Sequence, residues 1–191
     1  FATSTAVLGN QLASVYAAPR GGDLWIRYTD GTLKNLTAAA GLGHDGLQNA
    51  SSIAVRDPAV HWSGTKALFS MVVGAPAQYQ TPVYRWQIYE IVGLGVADQP
   101  VVTLVPHQPS GFNNVAPTYG TDDRVLFVSD RPRNAEPHLF PLRDEYESTA
   151  SPTGLWSVDP ISGDLRQLTH APSGDFKPFV DSFGRVVFTR W

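Results

Sequence analysis

The sequence predicts an all-β fold, a β-propeller of four-stranded antiparallel blades, with about three to four blades present. Three observations predict it. A unit with matching proline and phenylalanine landmarks recurs about every 60 residues, tight-turn residues separate short apolar runs, and no stretch keeps a helical period. A β-sandwich also has many short strands, but the matching landmarks make it the weaker alternative.

The recurring unit consists of a proline, a short strand, a Gly-containing turn and a second strand that reaches a phenylalanine. We expect the proline to open the first strand, where its missing N–H costs no ladder hydrogen bond. The three copies span residues 58–70, 117–129 and 178–189. Their landmarks are Pro58 and Phe69, Pro117 and Phe127, and Pro178 and Phe188.

A second pattern lies between these units, where an apolar residue precedes an aromatic one. It occurs at Leu24-Trp25, Ile88-Tyr89 and Leu155-Trp156, and each copy is followed by a turn and another short strand. Turn residues such as Asp30-Gly31 and Ser162-Gly163 fit tight connections. The predicted strands lie near 12–18, 23–28, 32–37, 58–62, 66–72, 86–92, 101–105, 115–119, 124–129, 154–158, 165–169, 176–180 and 185–190.

These strands form a single propeller segment. It consists of a partial blade over 5–37, full blades over 57–105 and 115–169, and a partial blade over 176–191. The first and last blades are incomplete, and a closed ring usually contains more blades. We therefore expect the segment to be part of a larger propeller.

Composition excludes several classes of protein. Hydrophobic residues make up 42% of the chain and charged residues 16%, which is typical of a globular domain. The net charge of -3 argues against nucleic-acid binding, and the lack of a long apolar run argues against membrane insertion. The absence of cysteine excludes disulfides, zinc–cysteine sites and thioether-linked haem within these residues, and favours a periplasmic or extracellular location.

Two resemblances follow from the repeat. Residues 115–131 and 154–190 resemble TolB-like β-propeller repeats, through Val-Leu-Phe-Val-Ser-Asp-Arg-Pro, Gly-Leu-Trp-Ser-Val-Asp and Leu-Arg-Gln-Leu-Thr. Residues 56–71 and 187–191 are similar to the propeller of hydrazine synthase alpha-subunit-like proteins. That narrower resemblance implies coupling to cytochrome modules. Because the chain has no Cys-x-x-Cys-His, we expect no cofactor within it, and any haem to lie in an associated domain.

Loop lengths predict which face of the propeller binds. The connections on one face are short, whereas the other face carries the long loops 38–57, 73–85, 106–114, 130–153 and 170–175. Long loops on a rigid scaffold are where binding usually resides. Candidate binding residues on this face are His44, Asp45, Arg56, Asp57, His107, Asn113, Asn114, Asp130, Arg131, His138, His170 and Asp175.

The 130–153 insertion is too long for a passive connection. It carries several prolines and a charged run, and it either covers the channel mouth or reaches a partner subunit. Aromatic residues are enriched at interface cores, which favours a protein partner. The predicted partner contacts are Phe140, Leu142 and Tyr146.

Catalytic motifs are missing from the sequence. There is no Gly-x-Ser-x-Gly elbow, and no histidine pair has metal-site spacing, so we predict neither catalytic residues nor a metal site. Asp130-Arg131 and Arg56-Asp57 fit either an anion clamp or a loop-anchoring ion pair. The predicted function is a non-catalytic binding or scaffolding propeller, and the alternative is a propeller within a haem-associated redox or hydrolytic multidomain enzyme.

Overall fold

The computed structural model describes residues 22–43, 50–74, 85–131, 153–171 and 174–190. Nearly all the regular structure in these ranges is β-strand. The elements are β1 Trp25–Arg27, β2 Leu33–Asn35, α1 Leu36–Ala39, β3 Ile53–Val60, β4 Lys66–Val73, β5 Gln87–Val92, β6 Val101–Leu104, β7 Asn114–Tyr119, β8 Val125–Ser129, β9 Gly154–Val158, β10 Leu165–Gln167, β11 Asp175–Val180 and β12 Val186–Arg190.

The strands form four antiparallel sheets, which we number in chain order. The first sheet is β1-β2, the second β3-β4-β5-β6, the third β7-β8-β9-β10 and the fourth β11-β12. Within each sheet, every strand pairs with the strand that follows it in the chain. This confirms the all-β class and the antiparallel, sequential pairing. The predicted strand at 12–18 lies outside the described residues.

Apolar clusters lie between consecutive sheets. Leu24 of the first sheet packs with Val55 and Phe69 of the second. Leu68 and Ile88, from strands β4 and β5, pack with Phe127 and Trp156 of the third sheet. In the last cluster, the second and third sheets contribute Val72, Val115 and Val128, and the fourth contributes Val186 and Phe188. Each of the first three sheets is therefore covered on one face by the next sheet in the chain.

The repeated prolines lie inside strands, so the prediction that they open strands is wrong. Each sits at a register shift, between Arg56 and Ala59 in β3, Val115 and Thr118 in β7, and Phe176 and Phe179 in β11. The two residues inside each shift face one phenylalanine across the ladder. These phenylalanines are Phe69, Phe127 and Phe188.

Each shift is a β-bulge that accommodates a residue without an N–H. The residue before the proline is left-handed in all three copies, with φ of 51° at Asp57, 50° at Ala116 and 45° at Lys177. A bulge is one of the few places inside a sheet where proline costs no ladder hydrogen bond. A bulge also bends its strand. The proline–phenylalanine repeat therefore marks the same bulge in β3, β7 and β11.

The boundary of the second sheet also differs from the prediction. β3 begins at Ile53 instead of residue 58, so Arg56 and Asp57 belong to a strand and not to the loop predicted at 38–57. The preceding strand ends early because the Asn35 side chain caps α1, accepting the Ala38 N–H at 2.9 Å. No helix among the described residues is long and apolar enough to cross a membrane.

The bulge in β11 offers a test of backbone strain. A left-handed non-glycine residue costs about 1–2 kcal/mol, whereas the flexibility of glycine costs about 0.5–1 kcal/mol in the unfolded chain. Lys177 is exposed at φ 45°, so Lys177→Gly should raise the free energy of unfolding by about 0.5–1 kcal/mol. Lys177→Ala keeps the strain and is the control. Urea denaturation measures both, and a destabilised glycine variant would contradict the bulge geometry.

Candidate functional site

The strand ends define two sides of each sheet. The short-turn side carries the connections 28–32, 61–65, 93–100, 120–124, 159–164 and 181–185. The long-loop side carries 36–52, 74–86, 105–113, 130–153 and 168–174. Of the predicted site residues, His44, Asp45, His138, Phe140, Leu142 and Tyr146 lie outside the described residues.

Asn113 and Asp130 form a two-point clamp on the long-loop side. The Asn113 backbone N–H donates to Asp130 Oδ1 at 2.7 Å, and its side-chain Nδ2 donates to Oδ2 at 2.7 Å. The Asn113 Oδ1 atom also accepts the Trp86 N–H at 3.0 Å. The clamp joins the 105–113 connection to the end of β8 and to the start of β5, which fixes a long connection to two sheets.

The adjacent Asn114 lies in a buried amide network. Its Nδ2 donates to Gln108 Oε1 at 3.2 Å and to the Pro109 carbonyl at 2.9 Å. Gln108 in turn accepts the Ile88 N–H at 2.8 Å and donates to the Ile88 carbonyl at 2.8 Å. The Asn114 Oδ1 atom has no hydrogen-bond partner among the described residues. Buried amides paired in this way hold the 105–113 connection in one conformation.

The two predicted Asp–Arg pairs differ from each other. Asp130 bonds Asn113, whereas Arg131 places its guanidinium 4.9 Å from the Trp156 ring centroid. Arg56 bonds Asp57 directly, Nε to Oδ2 at 2.7 Å, and lies 5.6 Å from the ring centroid of Trp86. Guanidiniums within about 6 Å of an indole gain cation–π attraction. Both arginines therefore brace the protein's own tryptophans, which favours the loop-anchoring interpretation.

Asp175 is fully buried at the start of β11. It pairs with Arg190, whose Nε lies 2.8 Å from Oδ1 and whose Nη2 lies 3.3 Å from Oδ2. Hydrogen bonding to this carboxylate raises the pKa of the Arg190 guanidinium further above its ordinary value. His107 and His170 are both exposed. The structure thus brings Asn113, Asn114 and Asp130 together, whereas Arg131 and Asp175 have partners that the sequence did not single out.

A cleft on the short-turn side was missed by the sequence reasoning. It has a volume of about 260 Å³ and lies where the second and third sheets meet. Apolar walls come from β6 and from the 159–164 turn, and charged groups cross its floor and rim. The charged lining residues are Lys66, Glu90, Asp122, Asp123 and Asp159.

At the floor of the cleft, three polar side chains contact one another. Lys66 Nζ lies 3.1 Å from Glu90 Oε1, and the Tyr119 hydroxyl donates to the same oxygen at 2.9 Å. Burial, and then the neighbouring Glu90 charge, raise the pKa of Tyr119 far above its ordinary value. Tyr119 therefore stays protonated and acts as a donor that ties β7 to β5.

A hydrogen-bonded chain runs along the rim from Asp123 through His61 to Ser63. His61 Nε2 lies 2.9 Å from Asp123 Oδ1, and its Nδ1 lies 2.7 Å from Ser63 Oγ. The Ser63 backbone N–H also donates to Nδ1, at 3.1 Å. Nδ1 is therefore the acceptor, and Nε2 carries the proton that it donates to Asp123.

The order carboxylate, imidazole, hydroxyl is the order found in nucleophilic hydrolases. Here the lone pair of His61 Nδ1 is already occupied by the Ser63 backbone N–H, and the imidazole links the 61–65 turn to the 120–124 turn. The chain therefore acts as a brace between the second and third sheets. Sequence reasoning placed His61 in a strand and Asp123 in a turn, but their meeting depends on how two sheets pack.

No group of three or more histidines and acidic residues in the described part of the chain could hold a metal ion. Neither protein-family models nor curated proteins give a match for this chain. The TolB-like and hydrazine synthase resemblances therefore stay predictions.

The brace predicts a stability effect at His61. His61→Phe keeps a ring of similar size but removes the bonds to Asp123 and Ser63, so we expect a loss of about 1–3 kcal/mol in the free energy of unfolding. Exposed Thr121→Val, in the 120–124 turn, is the control, with an expected change within about 0.5 kcal/mol. Hydrolysis of an aryl ester by the wild type that disappears in Ser63→Ala would contradict the brace.

Turn aspartates on the short-turn side predict acid sensitivity. Hydrogen bonds from Ser162 and from the Arg185 N–H hold the pKa values of Asp159 and Asp181 below their ordinary 3.8. Groups with depressed folded pKa values stabilise above the unfolded pKa, and this contribution is lost as pH falls through the folded value. The urea concentration at the midpoint of unfolding should therefore decrease when the pH drops below about 4. The decrease should be smaller in the double variant Asp159→Asn, Asp181→Asn. An equal fall in both proteins would contradict this origin.

Proposed function

We propose that the four sheets are blades of a β-propeller and that the chain is a non-catalytic binding scaffold. Its long-loop side docks a partner protein or a neighbouring domain. The sheet order supports the propeller, because four-stranded antiparallel meanders packed face to face in chain order are the units of such rings. The apolar clusters between consecutive sheets support it too.

The first strands of three sheets give further support. β3 lies against β7, and β7 against β11, although each pair belongs to different sheets. A Cβ at Gly184, in the β11–β12 turn, would lie 3.1 Å from Thr121 Cγ2 in the β7–β8 turn. First strands that neighbour one another in this way fit blades that converge on a common axis.

The observation that carries the docking proposal is the distribution of connection lengths. The three longest connections, 36–52, 74–86 and 130–153, all lie on the long-loop side, whereas the longest connection on the short-turn side is 93–100. The Asn113–Asp130 clamp and the Gln108–Asn114 network give that side a fixed platform. Variable loops on a rigid platform are the usual arrangement of binding surfaces.

The proposal includes the 130–153 connection as the main partner contact, through Phe140, Leu142 and Tyr146. It also places the chain in a periplasmic or extracellular protein with TolB-like repeats. The redox alternative, in which an associated domain holds haem, rests on the narrower resemblance alone. No contact among the described residues favours it over the scaffold.

Site-specific photocrosslinking tests the docking side. Benzoylphenylalanine replaces Phe140 in one variant and Phe183 in the other, so that each change is aromatic for aromatic. Phe183 is 81% exposed on the short-turn side and is the matched control. We expect partner adducts, in extracts of the source organism's periplasm or medium, from position 140 and not from position 183. Adducts at equal yield from both positions would overturn the assignment of the long-loop side.

A further inference from the structure

The cleft on the short-turn side has no part in the function proposed above. Its lining residues belong to the second and third sheets and to the turns that follow their strands. Its volume of about 260 Å³ is slightly below the range of roughly 300–1,000 Å³ that is usual for pockets that bury drug-sized ligands. An occupant that fits this space is therefore a small molecule.

The walls of the cleft carry aliphatic side chains that the protein leaves in contact with solvent. Leu104 on β6 is 51% exposed, and Ile161 in the 159–164 turn is 92% exposed. Pro106 and Pro160 extend the same apolar lining. Removing such side chains from water is favourable, so the walls offer a surface that the hydrocarbon part of a ligand would cover.

The charges of the cleft do not balance. Four carboxylates and one ammonium group line it. Lys66 and Glu90 form an ion pair at the floor, Nζ to Oε1 at 3.1 Å, so these two charges offset each other. The negative charge that remains belongs to Asp122, Asp123 and Asp159, which lie in two neighbouring turns. A site with this excess attracts a cation and repels an anion.

Two of these aspartates have an oxygen that can accept a further hydrogen bond. Asp122 Oδ1 accepts the Arg124 N–H at 3.4 Å, and Asp123 Oδ1 accepts from His61 Nε2 at 2.9 Å. Neither Oδ2 atom has a hydrogen-bond partner among the described residues. Asp159 differs, because its own turn occupies both of its oxygens. The acceptors available to a ligand's N–H groups therefore lie in one turn, beside the apolar walls.

A bare metal ion does not suit this cleft. Among the residues that the structure describes, no three histidine or acidic side chains are placed to hold one. Hard cations require several oxygen ligands, and the aliphatic walls supply none. The combination of free carboxylate oxygens and exposed hydrocarbon instead matches a molecule that carries both a positive charge and an apolar body.

We propose that the cleft binds a small organic cation with a primary ammonium group and an apolar body. The ammonium group donates to Asp122 and Asp123, and the body packs on Leu104 and Ile161. Ammonium–carboxylate hydrogen bonds are charge-assisted, and burying the body removes apolar surface of both molecules from water. The inference is independent of the long-loop docking side, because the cleft lies on the opposite side of the sheets.

2-Phenylethylammonium is the probe, titrated into the ¹⁵N-labelled 191-residue chain and followed by amide chemical shifts. We expect saturable shifts at Leu104, Asp123 and Ile161, with a Kd in about the millimolar range, which is ordinary for a ligand of this size. 2-Phenylethanol keeps the body without the charge and should bind about tenfold more weakly or worse. 3-Phenylpropanoate reverses the charge and should give no saturable shifts.

Two substitutions test where the probe binds. Asp122→Asn removes a charge but keeps the oxygen that faces the Arg124 N–H, and Ile161→Ser removes apolar wall. Each should weaken binding about threefold or more. Asp30→Asn is the matched control and should bind within about 1.5-fold of wild type. Asp30 is also an exposed turn aspartate on the short-turn side, and its Oδ1 also accepts the N–H two residues on, from Thr32 at 2.9 Å. Thermal melts confirm that all three variants fold.

Several results would overturn the proposal. These are absence of saturable binding, equal affinity for the alcohol and the ammonium probe, or unchanged affinity in either cleft variant. An equal loss in Asp30→Asn would overturn it too, because the attraction would then come from the general charge of that side. Tighter binding of the blocked peptide acetyl-Gly-Lys-Gly-amide would show that the cleft takes a lysine side chain of a protein instead. Crosslinks from position 140 do not involve the cleft, so either proposal can fail while the other stands.

Discussion

The packing of a buried phenylalanine against a two-residue bulge organises the described chain. The bulge lets a proline sit inside a strand, bends that strand, and places a left-handed residue opposite the ring. Phe69 and Phe127 then fill the space between their own sheet and the preceding one. Because the device recurs in β3, β7 and β11, the second, third and fourth sheets have the same bend in their first strands.

The polar contacts on the two sides of the stacked sheets have different roles. On the long-loop side, amide and carboxylate groups hold connections to strands, as in the clamp of Asn113 with Asp130. On the short-turn side, the bonds of His61 with Asp123 and of Tyr119 with Glu90 join neighbouring sheets. One side thus positions loops and the other sets the spacing between sheets. A buried polar group that spans two sheets penalises any slip between them, since slipping would leave it unpaired.

The sequence predicted what depends on local pattern. Strand alternation and turn residues located the described strands, and the proline–phenylalanine spacing exposed the repeat. It misplaced the prolines because a strand-initial proline and a bulge proline satisfy the same requirement, a position with no ladder hydrogen bond to lose. It missed the cleft and the tryptophans beside Arg131 and Arg56 because those contacts form between segments that are separated in the chain. Residue type shows that such a side chain needs a partner, but the partner's identity follows from packing.

Each sheet packs mainly on the sheets that precede and follow it in the chain, and this arrangement determines where local unfolding begins. When each unit contacts mainly its neighbours, stability approximates a sum of unit terms and interface terms, as in a linear array. The second and third sheets each have an apolar cluster on both faces, whereas the first and fourth sheets each contribute to a single cluster. Local opening should therefore begin at these two outer sheets and spread inward, and the amide protons of β4 and β8 should exchange last. The molecule would then respond to stress as a graded series whose most labile units are its outer sheets.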